Sequence, residues 1–391
     1  MKAETKKILW ISPRWPEPAN DGAKIATFQL LRYLQNDFEI HLLAILPEEE
    51  PSPAISVLDR CTVRVLRRPR PRGSLAFRLL VRPWVPVTFS SFASSSLRNE
   101  VKSAVSAMDW DWIVFDGAHA AVPFLKSGAK TSARLVYRAH NAEYSLWERT
   151  AEAQGFFKRL ALKHQAALVK KIESSILSLC DFVFPVSSDD ASLFQALSPA
   201  IRSEVIRIGQ DFPESLPPRK SSHCLGFVGR LDWLPNRQGL EWFLSKVWAQ
   251  VAEKRPELTL KVAGSGDASW LERYRQLPRL EILGPVASVD SFYEGIDAAI
   301  VPLFFGSGTR VKAIEASRFA VPCISTSLGV EGCPLVAGAS FLRAESVEDW
   351  VKVLEQASFD SLKALGASAF AVMKPQYDSR VIADKVRRIF A

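Results

Sequence analysis

Short apolar runs alternate with amphipathic stretches of helical period along almost the whole chain. Runs of this length with helices between them are typical of parallel strands that are buried on both faces of a sheet. Right-handed crossovers then place helices over both faces, which predicts a doubly wound α/β fold. The predicted strands are Ile8–Ile11, Glu39–Ile45, Thr62–Leu66, Trp112–Phe115, Leu135–Tyr137 and Phe182–Pro185 in the first half, and Cys224–Val228, Leu258–Val262, Leu280–Leu283, Ala298–Pro302 and Val321–Ser325 in the second.

The alternation occurs twice, and 391 residues are too many for one hydrophobic core. We therefore predict two Rossmann-like domains, an N-terminal one over 1–212 and a C-terminal one over 223–373. The polar, proline-rich stretch 213–222 separates the two series and is the predicted linker. Residues 374–391 are predicted to form a basic amphipathic helix that returns to the N-terminal domain. Because ligands bind at the carboxyl ends of parallel strands, we expect the two domains to face a central cleft.

Five cysteines are scattered over the sequence without a Cys-x-x-Cys pair. This spacing argues against a disulfide framework or a zinc site, and it fits a reducing compartment. No apolar run approaches the roughly 18–20 residues of a membrane-spanning helix, and the run at 8–11 is too short for a signal peptide. We therefore expect a cytoplasmic protein that is not integral to a membrane.

The formal net charge of +8 is concentrated in one segment, 60–102, which carries nine arginines and one lysine against a single acid, Glu100. Large apolar residues are interleaved with these cations: Phe77, Leu79, Leu80, Trp84, Phe89 and Phe92. This mixture predicts a surface that meets anionic lipid headgroups, at the inner face of the membrane. The alternative is a solvated loop and helix whose apolar residues face the core. No nucleic-acid partner is expected, because no recognised motif accompanies the charge.

A glycine-rich run, Phe305-Gly-Ser-Gly-Thr-Arg-Val-Lys-Ala-Ile-Glu-Ala316, follows a predicted strand and opens a helix. Gly306 and Gly308 allow the backbone to approach a ligand closely. Free N–H groups near Thr309 and Arg310 then form an anion site at the helix start. The Arg310 guanidinium can also contact a phosphate in bidentate fashion.

Glu315 lies about two turns into this helix, on the face that carries Val311. A carboxylate at that place can accept hydrogen bonds from two ribose hydroxyls. The run as a whole therefore predicts a nucleotide site, and the alternative interpretation is a glycine turn followed by a capped helix.

This run resembles the donor-binding signature of family 4 glycosyltransferases, retaining enzymes of the GT-B fold. The similarity continues through Ala320-Val-Pro-Cys-Ile-Ser-Thr-Ser-Leu-Gly-Val-Glu-Gly332. Upstream, Leu225-Gly-Phe-Val-Gly-Arg-Leu-Asp-Trp-Leu-Pro-Asn236 resembles the strand and phosphate loop that open the family's second domain. Val262-Ala-Gly-Ser-Gly266 and Leu283-Gly-Pro-Val286 resemble its next two strand ends. The similarity covers nearly the whole chain in order.

By this resemblance Glu315 matches the glutamate that binds the ribose, and Arg230 matches the arginine that pairs with the donor diphosphate. The backbone at Gly284 and Val286 matches the contact with the nucleobase. Gly308 and Thr309 match the backbone that surrounds the donor.

Two positions depart from the family's pattern. Ser307 stands where the family commonly carries a glutamate that contacts the donor sugar. Pro235 and Asn236 stand where it carries a lysine that follows the phosphate arginine. The resemblance therefore implies that Arg310 and Lys312 supply the missing positive charge, although Lys312 also fits a solvated helix position.

In the first half, Tyr137-Arg-Ala-His-Asn-Ala-Glu-Tyr144 follows a predicted strand. His140 matches the His-Asn pair that the family carries near the reacting sugar, where an imidazole can bond a sugar hydroxyl; the alternative is a helix cap. Glu143 is interpreted as an acid at the helix start or as a contact to the acceptor. Gly22 matches the glycine that lets the first loop pass beside the transferred group, and Asp21 is a predicted helix cap.

Two other motifs are set aside. Asp109-Trp-Asp111 spells the Asp-x-Asp of metal-dependent sugar transferases, but it precedes a predicted strand and should lie at the amino edge of the sheet. Gly264-Ser-Gly266 lacks the full spacing of a dinucleotide fingerprint and the ribose acid that follows it.

The resemblance implies a hexosyltransferase that uses a nucleotide-diphosphate sugar, UDP- or GDP-linked, without a cofactor or a metal. It implies retention of configuration and an acceptor that is a glycan or is lipid-linked, as in polysaccharide biosynthesis. Ser307 and the missing lysine leave open a catalytically silent relative that senses sugar nucleotides or assists assembly. A sugar-nucleotide epimerase of similar fold is a further alternative.

Overall fold

The computed structural model describes residues 5–19, 21–51, 57–70, 84–152, 154–306 and 308–391. The chain divides into two compact units. The first unit comprises 1–209 together with 382–391, and the second comprises 210–381. Residues 213–222 contain neither a helix nor a strand.

The first unit is built on a parallel sheet of seven strands in the order β3-β2-β1-β4-β5-β6-β7. The strands are β1 Lys7–Ser12, β2 Glu39–Pro47, β3 Thr62–Arg68, β4 Trp112–Asp116, β5 Arg134–Ala139, β6 Phe182–Pro185 and β7 Arg202–Ser203. The described helices are α1 Gly22–Leu34, α2 Ser95–Val105, α3 Ala118–Ser127, α4 Glu143–Glu152, α5 Phe156–Leu179 and α6 Ser188–Leu197. Every residue of β4 is buried, as expected for a central strand that is covered on both faces.

The second unit is built on a parallel sheet of six strands in the order β10-β9-β8-β11-β12-β13. The strands are β8 Cys224–Val228, β9 Thr259–Ala263, β10 Leu280–Gly284, β11 Ala298–Val301, β12 Cys323–Ser325 and β13 Leu342–Arg343. The helices are α7 Leu234–Phe243, α8 Ala249–Lys254, α9 Val289–Glu294, α10 Val311–Arg318, α11 Val347–Gln356 and α12 Phe359–Tyr377, followed by α13 Ser379–Phe390.

All of the strands predicted from apolar runs are present, with ends that differ by one or two residues. The two edge strands Arg202–Ser203 and Leu342–Arg343 were not predicted, because two residues are too few to show a pattern. The single helix predicted over 374–391 is wrong. The long helix α12 runs on to Tyr377, and Asp378 separates it from α13.

The terminal helix α13 contributes to the core of the first unit. Val386 and Phe390 are fully buried in the cluster that contains Trp112. The indole Nε1–H of Trp112 donates a hydrogen bond to the carbonyl of Phe390 at 3.1 Å. The apolar stripe of this helix is therefore covered by the sheet, while its arginines remain on the outer side.

The basic segment 60–102 is only partly described, because 71–83, with Phe77, Leu79 and Leu80, lie outside the described residues. Phe89 and Phe92 are buried in the first unit's core. The prediction that these two rings face lipid is therefore wrong, and the alternative of core-facing residues holds for them. Trp84 is 68% exposed. In the described part of the chain no helix is both long and apolar enough to cross a membrane.

Gly239 allows α7 to lie directly against the end of β11. A β-carbon at this position would fall 1.7 Å from the carbonyl oxygen of Pro302. This close approach brings Asn236, in the first turn of α7, next to the loop that follows β8.

We expect Gly239→Ala to lower the free energy of unfolding of the second unit by about 1–3 kcal/mol, the usual cost of overpacking an interior. The gain of about 1 kcal/mol that alanine gives over glycine in a helix is too small to offset the clash. Urea denaturation followed by near-UV circular dichroism measures the change. Gly155→Ala is the control, since a β-carbon there meets nothing within 4 Å. Equal stability of the two variants would contradict the close approach.

Candidate active site

A pocket of about 170 Å³ lies in the second unit, where β11 ends and α10 begins. Among the predicted site residues, Thr309, Arg310 and Lys312 line it. Asn236 and Phe227 line it as well. Main chain and side chains from β8, α7 and α10 therefore meet at the carboxyl edge of the second sheet.

The glycine-rich loop adopts backbone conformations that favour glycine, with φ of 122° at Gly306 and 93° at Gly308. Ser307 lies outside the described residues. Helix α10 begins at Val311, and its N-cap residue, Arg310, makes no side-chain capping bond. The prediction that Glu315 lies about two turns into this helix is wrong. Glu315 is the fifth residue of α10 and therefore lies about one turn in.

The Arg310 side chain is only 4% exposed. Its Nη2 donates to the Glu331 carboxylate at 2.7 Å and lies 3.3 Å from the carbonyl oxygen of Gly306. The guanidinium thus ties the glycine-rich loop to the loop after β12. The sequence analysis assigned no role to Glu331. Its position in the run 320–332, which resembles the family, was the available indication that it lies near the site.

Lys312 is a central member of the pocket. Its Nζ donates to the Asn236 side-chain oxygen at 2.8 Å, and the Asn236 amide donates in turn to the backbone carbonyl of Arg230 at 2.8 Å. Asn236 is 4% exposed. A β-carbon at Gly229 would lie 2.8 Å from Nζ, so the glycine lets the ammonium group lie close to this loop. Lys312 is therefore a partly buried, hydrogen-bonded residue and not a freely solvated one.

Burial shifts the pKa values of Lys312, which lines the pocket, and of Glu315, which follows it on α10 without lining the pocket. It lowers the pKa of Lys312 to about 8, with a contribution from Arg310 and against the attraction of Glu315. It raises the pKa of Glu315 to about 7, against the effects of Lys312, Arg318 and the Tyr293 hydroxyl, which lies 3.4 Å from the carboxylate. Burial thus disfavours the charged form of Lys312 and of Glu315 unless an oppositely charged or hydrogen-bonding group lies beside it. Tyr293 was not predicted, and nothing in its sequence context marked it.

The other predicted donor residues do not line this pocket. Arg230 is 62% exposed and binds Asp232 through Nη2 at 2.7 Å and Nε at 3.1 Å. Gly284 has a left-handed φ of 66°, and its carbonyl accepts a hydrogen bond from Gly264 N–H at 2.9 Å. Val286 packs partly buried against the hydrophobic cluster under β8 and β11.

The first unit places His140 in a buried polar network at the carboxyl ends of β4 and β5. The Asp116 carboxylate receives hydrogen bonds from Arg138 Nη1 at 2.7 Å and from Thr27 Oγ1 at 2.6 Å. His140 Nε2 lies 2.8 Å from the same carboxylate. Burial alone would raise the pKa of Asp116, but His140, Arg138 and Thr27 hold it well below its usual range.

Because Asp116 is ionised, His140 presents Nε2–H to it and keeps Nδ1 free of its own proton. Burial lowers the pKa of His140, and Arg138 lowers it further against the attraction of Asp116. The imidazole is therefore neutral and fixed in one tautomer. Asp116 and Arg138 were missed in the sequence, although a charged residue inside an apolar strand was the available signal.

The loop that carries His140 is held by a second buried acid. Glu173 accepts backbone hydrogen bonds from Tyr144 at 2.8 Å and Glu143 at 3.1 Å, together with the Tyr137 hydroxyl at 3.0 Å. Glu143 is the first residue of α4. Gly22 begins α1, and Asp21 caps that helix by accepting from Lys24 N–H at 2.9 Å, as predicted.

The Asp109–Asp111 motif lies at the amino edge of the first sheet, as predicted. The Asp111 carboxylate accepts a hydrogen bond from the backbone N–H of Lys7, the first residue of β1, at 2.8 Å. In the described ranges there is no group of three or more histidines, cysteines or acids that could hold a metal ion.

Comparisons with known proteins agree with this architecture. Residues 222–358 match the family model of the group 1 glycosyl transferases. An uncharacterized 44.6 kDa protein in the cps region of Klebsiella pneumoniae is 22% identical over 395 residues, which cover 96% of this chain and 97% of that protein.

Two solved structures show the same fold over the whole chain. Sucrose-phosphate synthase from Thermosynechococcus elongatus has a TM-score of 0.68 at 15% identity and covers 99% of this chain and 98% of its own. HepE from Anabaena, in complex with UDP and glucose, has a TM-score of 0.65 at 13% identity and covers 98% of this chain and 99% of its own. Residues 222–358 of the second unit thus match the group 1 glycosyl transferase model, and the chain has the two-domain α/β fold of these solved structures.

Proposed function

We propose that this enzyme transfers a hexose from a nucleotide-diphosphate sugar to a glycan or lipid-linked acceptor, with retention of configuration and without a metal. One observation carries the proposal: the buried Arg310 and the partly buried Lys312 stand beside the open start of α10, and Glu315 follows one turn later. A diphosphate at the helix start and a ribose at the carboxylate would satisfy all three side chains.

The diphosphate relieves the electrostatic cost of this pocket. Lys312 is partly buried with a hydrogen bond to a neutral amide, so its positive charge is only weakly compensated in the free protein. Arg230 has an exposed pair with Asp232, and such pairs contribute about 0–1 kcal/mol. It can therefore leave Asp232 for a phosphate oxygen. These cations stabilise the charge that develops on the leaving diphosphate, which is the main catalytic contribution that we assign to them.

Glu315 is proposed to hold the ribose. Hydrogen bonds from two hydroxyl groups favour the ionised carboxylate, so a bound ribose lowers the pKa that burial has raised. The backbone at Gly284 and Val286 is assigned to the base, and the loop of Gly306 and Gly308 to the sugar. Complexes of the structurally similar HepE contain UDP, which makes a UDP-sugar the first donor to test.

His140 is proposed to accept a hydrogen bond from a sugar hydroxyl at its unprotonated Nδ1, which lies 3.4 Å from Arg138 Nη1. Asp116 beside it is 1% exposed and already receives bonds from Arg138 and Thr27, so it is not available as a nucleophile. This favours attack by the acceptor hydroxyl from the leaving-group side, with a phosphate oxygen taking the proton. Gly22 is assigned to the loop beside the transferred group.

A peripheral contact with anionic membrane belongs to the same proposal, and we assign it to the start of α5. The exposed apolar cluster is formed by Phe156, Phe157 and Leu160 at the start of α5, which are 75%, 85% and 64% exposed. Lys158 and Arg159 lie among them. Exposed aromatic rings beside cations are typical of helices that lie at an anionic bilayer surface.

We expect UDP-glucose to raise the melting temperature of the wild-type protein in buffer containing EDTA, and Glu315→Ala to weaken its binding by about 10- to 100-fold, since hydrogen bonds to a charged group contribute about 1.5–3 kcal/mol. GDP- and ADP-sugars are compared in the same screen. Glu253→Ala, which removes an exposed acid of the same unit, is the control. If no nucleotide sugar stabilises the protein, or if Glu315→Ala binds like the control, the proposed donor site is wrong.

We also expect the affinity for UDP-glucose to fall as pH rises above about 8, by up to roughly tenfold per pH unit, because the bound diphosphate raises the pKa of Lys312 from its value of about 8 in the free protein. Isothermal titration from pH 6.5 to 9.5 measures this. Lys312→Arg keeps its charge over that range and should lose the alkaline decline. An unchanged decline in this variant would assign the titration to another group.

For the membrane contact, co-sedimentation with vesicles that contain anionic lipid should retain the wild-type protein. Phe156→Ser/Phe157→Ser should lose most of this binding, because each buried aromatic side chain contributes about 1.5–3 kcal/mol. Val336→Ser, which changes an exposed apolar residue of the second unit, is the control. Equal pelleting of the two variants would remove α5 from the proposal.

A further inference from the structure

A second, larger pocket lies in the first unit and belongs to none of the residues assigned so far. Its volume is about 630 Å³, within the range of pockets that hold small ligands. Arg14 reaches it from the loop after β1, Arg68 from the last position of β3, and His119 from the start of α3. Phe92 and Trp147 contribute apolar walls. All of these positions lie at the carboxyl edge of the sheet, where ligands bind in such folds.

The charged residues of the pocket are mostly cations. Arg14, Lys24 and Arg68 line it, and Glu50 is the acid that lines it. Arg14 also pairs with Asp21 at 3.3 Å, but both side chains are about half exposed and such a pair is weak. The pocket therefore keeps a surplus of positive charge.

Arg68 shows this surplus most clearly. Its Nη1 donates to Ser91 Oγ at 3.2 Å, and its guanidinium lies over the Phe92 ring at 5.0 Å. The Nε atom is buried without a hydrogen-bond partner among the described residues. Burial lowers the pKa of Arg68 in spite of the nearby Glu49 and Glu50. A partly buried guanidinium whose buried Nε donor is unused indicates that an acceptor group is missing from this part of the pocket.

The environment of His119 is independent evidence for positive charge in the pocket. Its Nε2 lies 2.8 Å from Thr88 Oγ1, and the Phe89 and Phe92 rings contact it edge-on. Burial lowers its pKa to about 4, and Arg14, Arg68 and His140 lower it further in the same direction. Arg14 and Arg68 thus both lower the pKa of His119 in the wall of the pocket.

We propose that this pocket binds an oxyanion carried by the acceptor, a phosphate or a carboxylate, which Arg14, Lys24 and Arg68 hold beside the walls formed by Phe92 and Trp147. This inference rests on the proposed function and names the chemical class of its acceptor. The donor diphosphate is assigned to the second unit, so the two anionic groups occupy different sites. A neutral acceptor would leave the buried Nε of Arg68 without a charged partner, which favours acidic or phosphorylated acceptors.

The test uses the full-length protein with ¹³C-labelled histidine, because its five histidines give few signals. His119→Gln assigns the His119 signal. Titration then follows the pKa of His119 in chloride buffer and after addition of inorganic phosphate, glucuronate or glucose at constant ionic strength. An anion in the pocket should raise this pKa by about one unit or more, as a nearby opposite charge does. Glucose should leave it unchanged.

Arg68→Gln should raise the His119 pKa without any ligand, because one cation is lost, and should reduce the response to anions. Arg14→Gln is the second variant and changes a largely exposed residue, so folding is preserved. Arg64→Gln is the matched control, because Arg64 lies on the same strand and pairs with Glu100 outside the pocket.

A response to phosphate alone assigns a phosphorylated acceptor, and a response to glucuronate alone assigns an acidic sugar. A His119 pKa that no anion changes, or that responds equally in Arg68→Gln and in the wild type, would overturn the inference. The melting temperature with UDP-glucose is measured on the same samples. Stabilisation by the donor without a His119 response would reject the acceptor proposal and leave the donor site intact, whereas the reverse would reject the donor site.

Discussion

In each unit the strand order reverses once, between β1 and β4 in the first sheet and between β8 and β11 in the second. The connections that leave these neighbouring strands turn to opposite faces, so a crevice opens between the loops that follow them. This constraint places all of the polar groups of interest. It brings Ser12 to Asp116 in the first unit and the loop of Arg230 to Asn236 and Lys312 in the second. The crevice follows from the reversal of strand order and does not depend on which side chains line it. Without that reversal, no side chain would lie in such a crevice.

The two units treat buried charge in opposite ways. In the first, Arg138 is fully buried and faces the ionised Asp116 at 2.7 Å, so the pair compensates its own charge and fixes the orientation of His140. In the second, Lys312 meets an amide oxygen, and its depressed pKa expresses the cost of an incompletely compensated cation. The first arrangement is suited to holding a neutral imidazole in place. The second arrangement is suited to binding an anion, because the ligand can supply the negative charge that Lys312 lacks in the free protein.

The basic segment shows that composition does not tell which residues of a segment are exposed. Residues 60–102 combine cations with large apolar side chains, yet Phe89 and Phe92 belong to the core and Arg68 lines a pocket, whereas Trp84 is exposed. At the start of α5, Phe156 and Phe157 are exposed beside Lys158 and Arg159. Both segments have the same mixture of residue types. The two segments differ in which side chains the neighbouring helices cover, and composition does not contain that information.

The amino-acid sequence was sufficient to predict the two parallel sheets, because short apolar runs of three to seven residues between helices have few other stable arrangements. It also located the glycine-rich start of α10, since glycines after a buried strand and before a helix have a direct conformational meaning. Which side chains meet there is visible only in the folded chain. Asn236 and Lys312 are 76 residues apart and Ser222 and Asp297 are 75 apart, and no local pattern encodes such contacts. The same holds for Asp116 and His140, whose contact depends on the register of β4 and β5. Burial and charge are properties of these assembled neighbourhoods, so the titration of Lys312 and Glu315 could be read only from the folded chain.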